Sequence, residues 1–242
     1  MASGHPDWGQ AQQTGLIATV SDLGELAARL GSIDTFYRTG NVIFLDDFDN
    51  GAAGWQDQSS GVGSSTAAVA GPALSAPNAL QLVAGGALNR RGWRQRQFNV
   101  PTESRTGIEI AVALNSAAQF RFGLEVLYGA ELKLFELMYD VSTGNLSYLG
   151  PNGITYVTLA TALNLGSGLY QWHYFKLIVD PVAGEYVQAR VDYHTYALTS
   201  IAVTGSPSGG SDAMAVDLIA QAIDASGMEA RVDNFIFTIN EP

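Results

Sequence analysis

The chain has 242 residues, 23 of them acidic and 12 basic, a formal net charge of −11 and no cysteine. That balance argues against a general nucleic-acid binder, because phosphate backbones are held by Lys and Arg, and against adhesion to an anionic membrane surface. The missing cysteine excludes disulfides, thiolate zinc sites and a cysteine nucleophile.

Hydrophobic residues make up 47% of the chain and charged ones only 14%, so most of it is expected to fold around a core. The 27 glycines and the many short Val/Ile/Phe/Tyr runs point to strands joined by tight turns. No apolar run approaches the ~20 residues that span a bilayer. The opening MASGHPDWGQ lacks a basic segment and an apolar core, so the expectation is a chain made in the cytoplasm without a Sec signal.

Residues 1–20 are Gly-, Gln- and Ala-rich and read as an extended arm that orders only when docked. A short helix is predicted at about 21–31. Ser21 is its N-cap, Asp22 and Glu25 lie near its positive end, and Gly31 closes it. Leu23, Leu26, Ala27 and Leu30 form one apolar stripe, which about three turns of helix must pack on something to be stable. Arm and helix together make residues 1–40 one segment.

From Asn41 to the end, residues 41–242, the pattern is β. NVIFLDDF is a first strand, and the next strands lie among Pro72, Pro77 and Pro101. In QFRFGLEVLY, Phe120, Phe122, Leu124 and Val126 alternate with Gln119, Arg121, Gly123 and Glu125, giving one buried and one wet face. The alternation slips at Phe135, which predicts a bulge or a strand buried on both sides. Turn signals at Thr143-Gly144-Asn145, Asn152-Gly153 and Asp180 to Gly184 mark consecutive hairpins. Roughly a dozen strands without helical crossovers predict an all-β fold, an antiparallel two-sheet sandwich.

The stretches DDFDNGAAGW, WHYFKLIVDPVAGEYVQARVD and RVDNFIFT resemble the concanavalin A-like, laminin G-like jelly-roll family. The resemblance covers about residues 41–242. It implies that first and last strands lie side by side and that an acidic residue from each ligates a structural calcium. Calcium takes six to eight hard oxygen ligands. Asp46, Asp47, Asp49, Asp233 and Asn234 are the candidate ligands, although alternation puts Asp46 opposite Asp47 and Asp49. A solvated acidic turn without an ion is the alternative.

Signs of catalysis are weak. His5, His173 and His194 are the only histidines, and no HExxH, GxSxG or phosphate-binding glycine loop is present. The Glu-x-Asp-x-x-Glu pattern of glycosidases on such sandwiches is missing, although a carboxylate pair could still assemble in space. The expectation is a protein that is not an enzyme.

Two surfaces could bind. Trp172, Tyr174 and Lys176, joined by Tyr186 from the hairpin partner, would form an aromatic face able to stack sugar rings, or would cover a sheet or line a subunit contact. Arg90, Arg91, Arg94 and Arg96 would form a cationic strip for an acidic partner, including a second copy of the chain, or a charge-protected edge strand.

The order of arm, helix and sandwich, GHPDWGQ to DDFDNGAAGW, resembles uncharacterised proteins encoded among phage structural genes. That implies a non-enzymatic virion component (capsid decoration, fibre or tail) that forms a homo-oligomer and meets other virion proteins. The alternative is an extracellular carbohydrate-binding module with a structural calcium site and a surface glycan as ligand.

Overall fold

The computed structural model describes residues 40–242, apart from 76, 99–103, 116–118, 129, 167, 210–211 and 226. The chain divides into two compact units after Arg38, and the second unit, Thr39–Pro242, holds the described residues. The arm and the helix predicted at 21–31 lie outside them.

Every regular element among the described residues is a strand. One sheet runs β13 (His194–Ala202), β12 (Glu185–Val191), β11 (Trp172–Asp180), β6 (Thr106–Leu114), β16 (Met228–Ile239), β4 (Asn78–Ala84), β3 (Ser65–Ala70). Its eighth strand, β1 (Asn41–Asp46), also pairs with β16. The second sheet runs β10 (Tyr156–Ala160), β9 (Asn145–Leu149), β8 (Glu131–Asp140), β7 (Gln119–Tyr128), β15 (Ala213–Gln221), β5 (Arg91–Phe98), β2 (Gln56–Asp57), with β14 (Ser206–Pro207) on β8. All pairings are antiparallel, so the fold is the expected two-sheet sandwich.

Alternation builds the core. Phe120, Phe122, Leu124 and Val126 of β7 turn inward and meet Phe175 and Leu177 of β11 from the facing sheet. The Phe122 and Phe175 rings lie edge to face, 5.8 Å apart, and Phe135 meets Tyr186 in the same way at 5.3 Å. Each such fully buried side chain contributes roughly 1.5–3 kcal/mol. First and last strands are neighbours, with Asn41 opposite Ile239 and Asp46 opposite Phe235. The three hairpins close where the turn residues predicted, with Gly144, Gly153 and Gly184 at positive φ.

Of the two alternatives at Phe135, a bulge or a strand buried on both sides, the bulge is not present, and Leu137, Met138 and Tyr139 are buried whichever face they take. The β7–β8 register is continuous from Gln119–Asp140 to Tyr128–Glu131, and Phe135, Leu137 and Tyr139 all face the core. The apparent slip comes from Leu134 and Met138, which stand on the other face of β8 with Glu136 between them. That outer face of the second sheet carries apolar and charged side chains side by side.

Candidate functional site

The acidic residues near the two chain-end strands are already committed to N–H groups. Asp46 accepts the Phe48 backbone N–H on Oδ1 and the Trp55 indole N–H on Oδ2, both at 2.9 Å. Asp47 Oδ1 accepts the Asp49 N–H, and Asp49 Oδ1 accepts the Asn78 N–H, each at 3.1 Å. Asp233 is fully buried and ties down residues 74–75. Its Oδ2 accepts the N–H groups of Leu74 at 2.8 Å and Ser75 at 3.0 Å, and its Oδ1 accepts the Ser75 hydroxyl and the Asn234 N–H. Burial pushes the Asp233 carboxyl up, against the pull of those donors. Asn234, at positive φ where the register of β16 shifts, leaves its buried Nδ2 without a partner. Among the described residues no group of three His, Cys, Asp or Glu side chains could hold a metal. The five residues therefore do not gather into one calcium ligand set among the described residues.

The predicted aromatic face does not form. A register shift between Ile178 and Val179 puts Tyr186 opposite Val179, on the core side of the hairpin. Tyr186 is fully buried there, donating to the Leu149 carbonyl at 2.9 Å and accepting the Glu136 N–H at 3.0 Å. Trp172 is half-buried, whereas Tyr174 and Lys176 are buried. The Lys176 ammonium pairs with Glu241 at 2.9 Å and lies 3.8 Å from Glu109.

Nor do the four arginines make one strip. Arg90 caps a loop through the Val62 carbonyl at 2.6 Å. Arg94 binds Thr66 Oγ1 and the Trp55 carbonyl, both at 2.6 Å, and the Arg96 guanidinium lies 3.9 Å over the Phe44 ring. Arg91 points to the other side of β5, beside Trp93 and Gln95.

There the strands assemble a cleft of about 390 Å³, whose lining includes Arg91, Trp93, Arg121, Glu125, Glu136, Tyr156 and Asp217. Strand register sets the layout. Gln95, Asp217, Gly123 and Glu136 stand in one row across β5, β15, β7 and β8. Trp93, Ile219 and Arg121 form the next row, and Arg91, Gln221 and Gln119 the one after. Gly123 makes the low point between Asp217 and Glu136. A Cβ there would come within 2.1 Å of the Phe135 carbonyl oxygen, so the approach of β7 to β8 requires glycine.

Each wall of the cleft is fixed. Arg121 grips Glu136 with two arms, Nε to Oε1 at 2.5 Å and Nη2 to Oε2 at 3.0 Å, and Tyr156 donates its hydroxyl to the same Oε1. Such forked pairs are the strong, directional kind. Burial and the Glu136 charge push the Tyr156 hydroxyl far above its ordinary range. Across the glycine, Asp217 Oδ1 accepts the Trp93 indole N–H at 2.8 Å and the Gln95 amide at 3.1 Å. Gln95 also reaches Glu125 at 3.3 Å, and the two carboxyls share a hydrogen bond. Burial and the Glu125 charge push Asp217 up to about 7, and burial raises Glu125 as well. The pair therefore holds a proton over part of the acidic range.

These residues were only partly visible in the sequence. The wet face of β7 named Arg121 and Glu125, but nothing in the local pattern around Glu136, set among Leu134, Phe135, Leu137 and Met138, marks it as a site residue. Asp217, a single acid inside AMAVDLIAQ, was the one local sign of a buried polar site.

No protein-family model matches the chain, and no curated protein matches it. Solved structures do. An endo-β-1,4-glucuronan lyase from the fungus Trichoderma reesei matches with a TM-score of 0.58 at 12% identity, over 82% of this chain and 96% of that one. A carbohydrate esterase from the Shiga toxin-encoding bacteriophage phi24B matches with a TM-score of 0.52 at 12% identity, over 84% and 100%. The cellulose-induced protein Cip1 matches with a TM-score of 0.51 at 14% identity, over 81% and 96%. Together with the two antiparallel sheets, these likenesses establish that the chain has the concanavalin A-like jelly-roll sandwich fold.

Proposed function

We propose that the protein binds carbohydrate in the cleft on the outer face of the second sheet. The observation that carries this reading is the side-chain set around Gly123. Within about 390 Å³ lie an indole, a phenol, two guanidiniums and three carboxyl groups. Sugars present apolar ring faces beside many hydroxyls, and they need both kinds of partner together. Two proteins of like fold are named for action on carbohydrate, a glucuronan lyase and a carbohydrate esterase, which supports the choice of ligand.

The reading is of binding without turnover. Both Glu136 oxygens are held by Arg121 and Tyr156, and Asp217 is held by Trp93, Gln95 and Glu125. A glycan array probed with the wild-type protein and with Trp93→Ala tests it. Binding lost in the variant supports the reading, and release of new reducing ends from a bound polysaccharide would overturn the absence of turnover.

A second reading, a virion component, has one observation in its favour: a protein of like fold comes from a bacteriophage. Its arm and helix lie outside the described residues. The molar mass of the full chain by light scattering tests the homo-oligomer that this reading requires.

A further inference from the structure

Two guanidiniums converge on one neutral oxygen at one end of the cleft. Arg91 Nε donates to Gln221 Oε1 at 3.0 Å, and Arg121 Nη1 donates to the same oxygen at 2.7 Å. The amide is held this way round by a chain of its own kind. Gln221 Nε2 donates to Gln119 Oε1 at 3.5 Å, and Gln119 Nε2 donates to Asp140 Oδ2 at 3.4 Å. Because a carboxylate only accepts, Asp140 sets the direction of every amide in the series.

The two arginines are not equally engaged. Arg121 spends Nε and Nη2 on Glu136, which offsets its charge. Among the described residues Arg91 makes no ion pair and its Nη1 and Nη2 hold no acceptor. Like charges set side by side around a single neutral acceptor are unfavourable unless an anion joins them. At the other end of the cleft the sign reverses, because Glu125 and Asp217 carry the acidic groups there. The site is therefore polarised along its strands, with Trp93 and Ile219 between the two ends.

Resting on the carbohydrate reading, we infer that the ligand is an acidic sugar whose carboxylate is received at the Arg91 end, by Arg91 beside Arg121 and Gln221. The two terminal nitrogens of a guanidinium lie in one plane at the spacing of two carboxylate oxygens, which is the pairing arginine makes best. The sugar's hydroxyls then fall over Trp93 towards Asp217 and Glu125, where acceptors suit them. A sulfate ester, with a third oxygen to satisfy, finds fewer free donors, because three of the N–H groups of Arg121 are taken.

The test is isothermal titration of the full-length protein with three kinds of probe: uronates (oligogalacturonate and oligoglucuronate, each titrated separately), neutral xylo-oligosaccharide, and heparin-derived oligosaccharide. Each is repeated with Arg91→Gln, and thermal unfolding verifies that the variant folds. Uronate binding that weakens about ten-fold or more in the variant, and by far more than any neutral binding does, is the expected result. Neutral oligosaccharide bound as tightly as uronate would overturn the inference and leave the carbohydrate reading standing. So would uronate binding indifferent to Arg91→Gln, or binding of the sulfated probe alone. Failure of all three probes to bind would overturn both.

Discussion

Trp93 donates its indole N–H to Asp217 Oδ1 at 2.8 Å, from the neighbouring strand and one row along the outer face of the second sheet. The contact joins a half-buried indole to a buried carboxyl, and the burial of that carboxyl, which the indole N–H only partly offsets, makes the stability of the protein depend on pH. Burial and then Glu125 push Asp217 from 3.8 up to about 7. The folded state therefore keeps a proton that the unfolded chain releases. The favourable contribution is complete below about pH 4 and is lost as the pH climbs to about 7. Thermal midpoints across that window should fall by several degrees, and Asp217→Asn should flatten the dependence. A midpoint that rises from pH 4 to 7 by an amount Asp217→Asn does not change would show that the pair holds no such proton.

Gly123→Ala should destabilise by about 2–3 kcal/mol, because its Cβ would sit 2.1 Å from the Phe135 carbonyl and the two strands must part. Urea denaturation measures this. An unchanged midpoint would mean that β7 and β8 are not so closely seated.

Tyr186→Phe should cost about 1–3 kcal/mol, since the Leu149 carbonyl and the Glu136 N–H both lose a buried partner. Glycan affinity, read on the same variant, should fall far less than in Trp93→Ala. Stability untouched by the substitution, with affinity lost, would return Tyr186 to the binding surface.

Calcium should not raise the thermal midpoint, and EDTA should not lower it, because the Asp46 and Asp233 oxygens already hold N–H groups. Asp233→Ala should destabilise by about 2 kcal/mol or more in either buffer, by stranding the Leu74 and Ser75 N–H groups. A midpoint several degrees higher in calcium would show that the cation displaces those donors.

The fold was legible where local chemistry decides it. Period-two alternation told the inner residues of β7 from the outer ones, and glycines at positive φ placed the hairpins at 144 and 184. The adjacency of β1 and β16 came from resemblance, since no short-range pattern encodes a pairing between Asn41 and Ile239. The misreadings have one physical source, which is register. A single shift in the β11–β12 hairpin carried Tyr186 from the expected surface into the core. At Phe135 the reverse happened: apolar Leu134 and Met138 on an outer face imitated an irregular strand. The cleft was hidden for a related reason. Its row of Gln95, Asp217, Gly123 and Glu136 draws one residue from each of four strands, and only their pairing brings the row together.

The most direct test of the central claim follows the Trp93 indole N–H by ¹⁵N NMR, assigned by its loss in Trp93→Phe, while oligosaccharides are added to the full-length protein. Carbohydrate binding in the cleft predicts a saturable shift of that resonance, with the Trp172 indole little affected. Sugar that binds while Trp93 stays unmoved and Trp172 shifts would contradict the account and place the ligand on the opposite sheet.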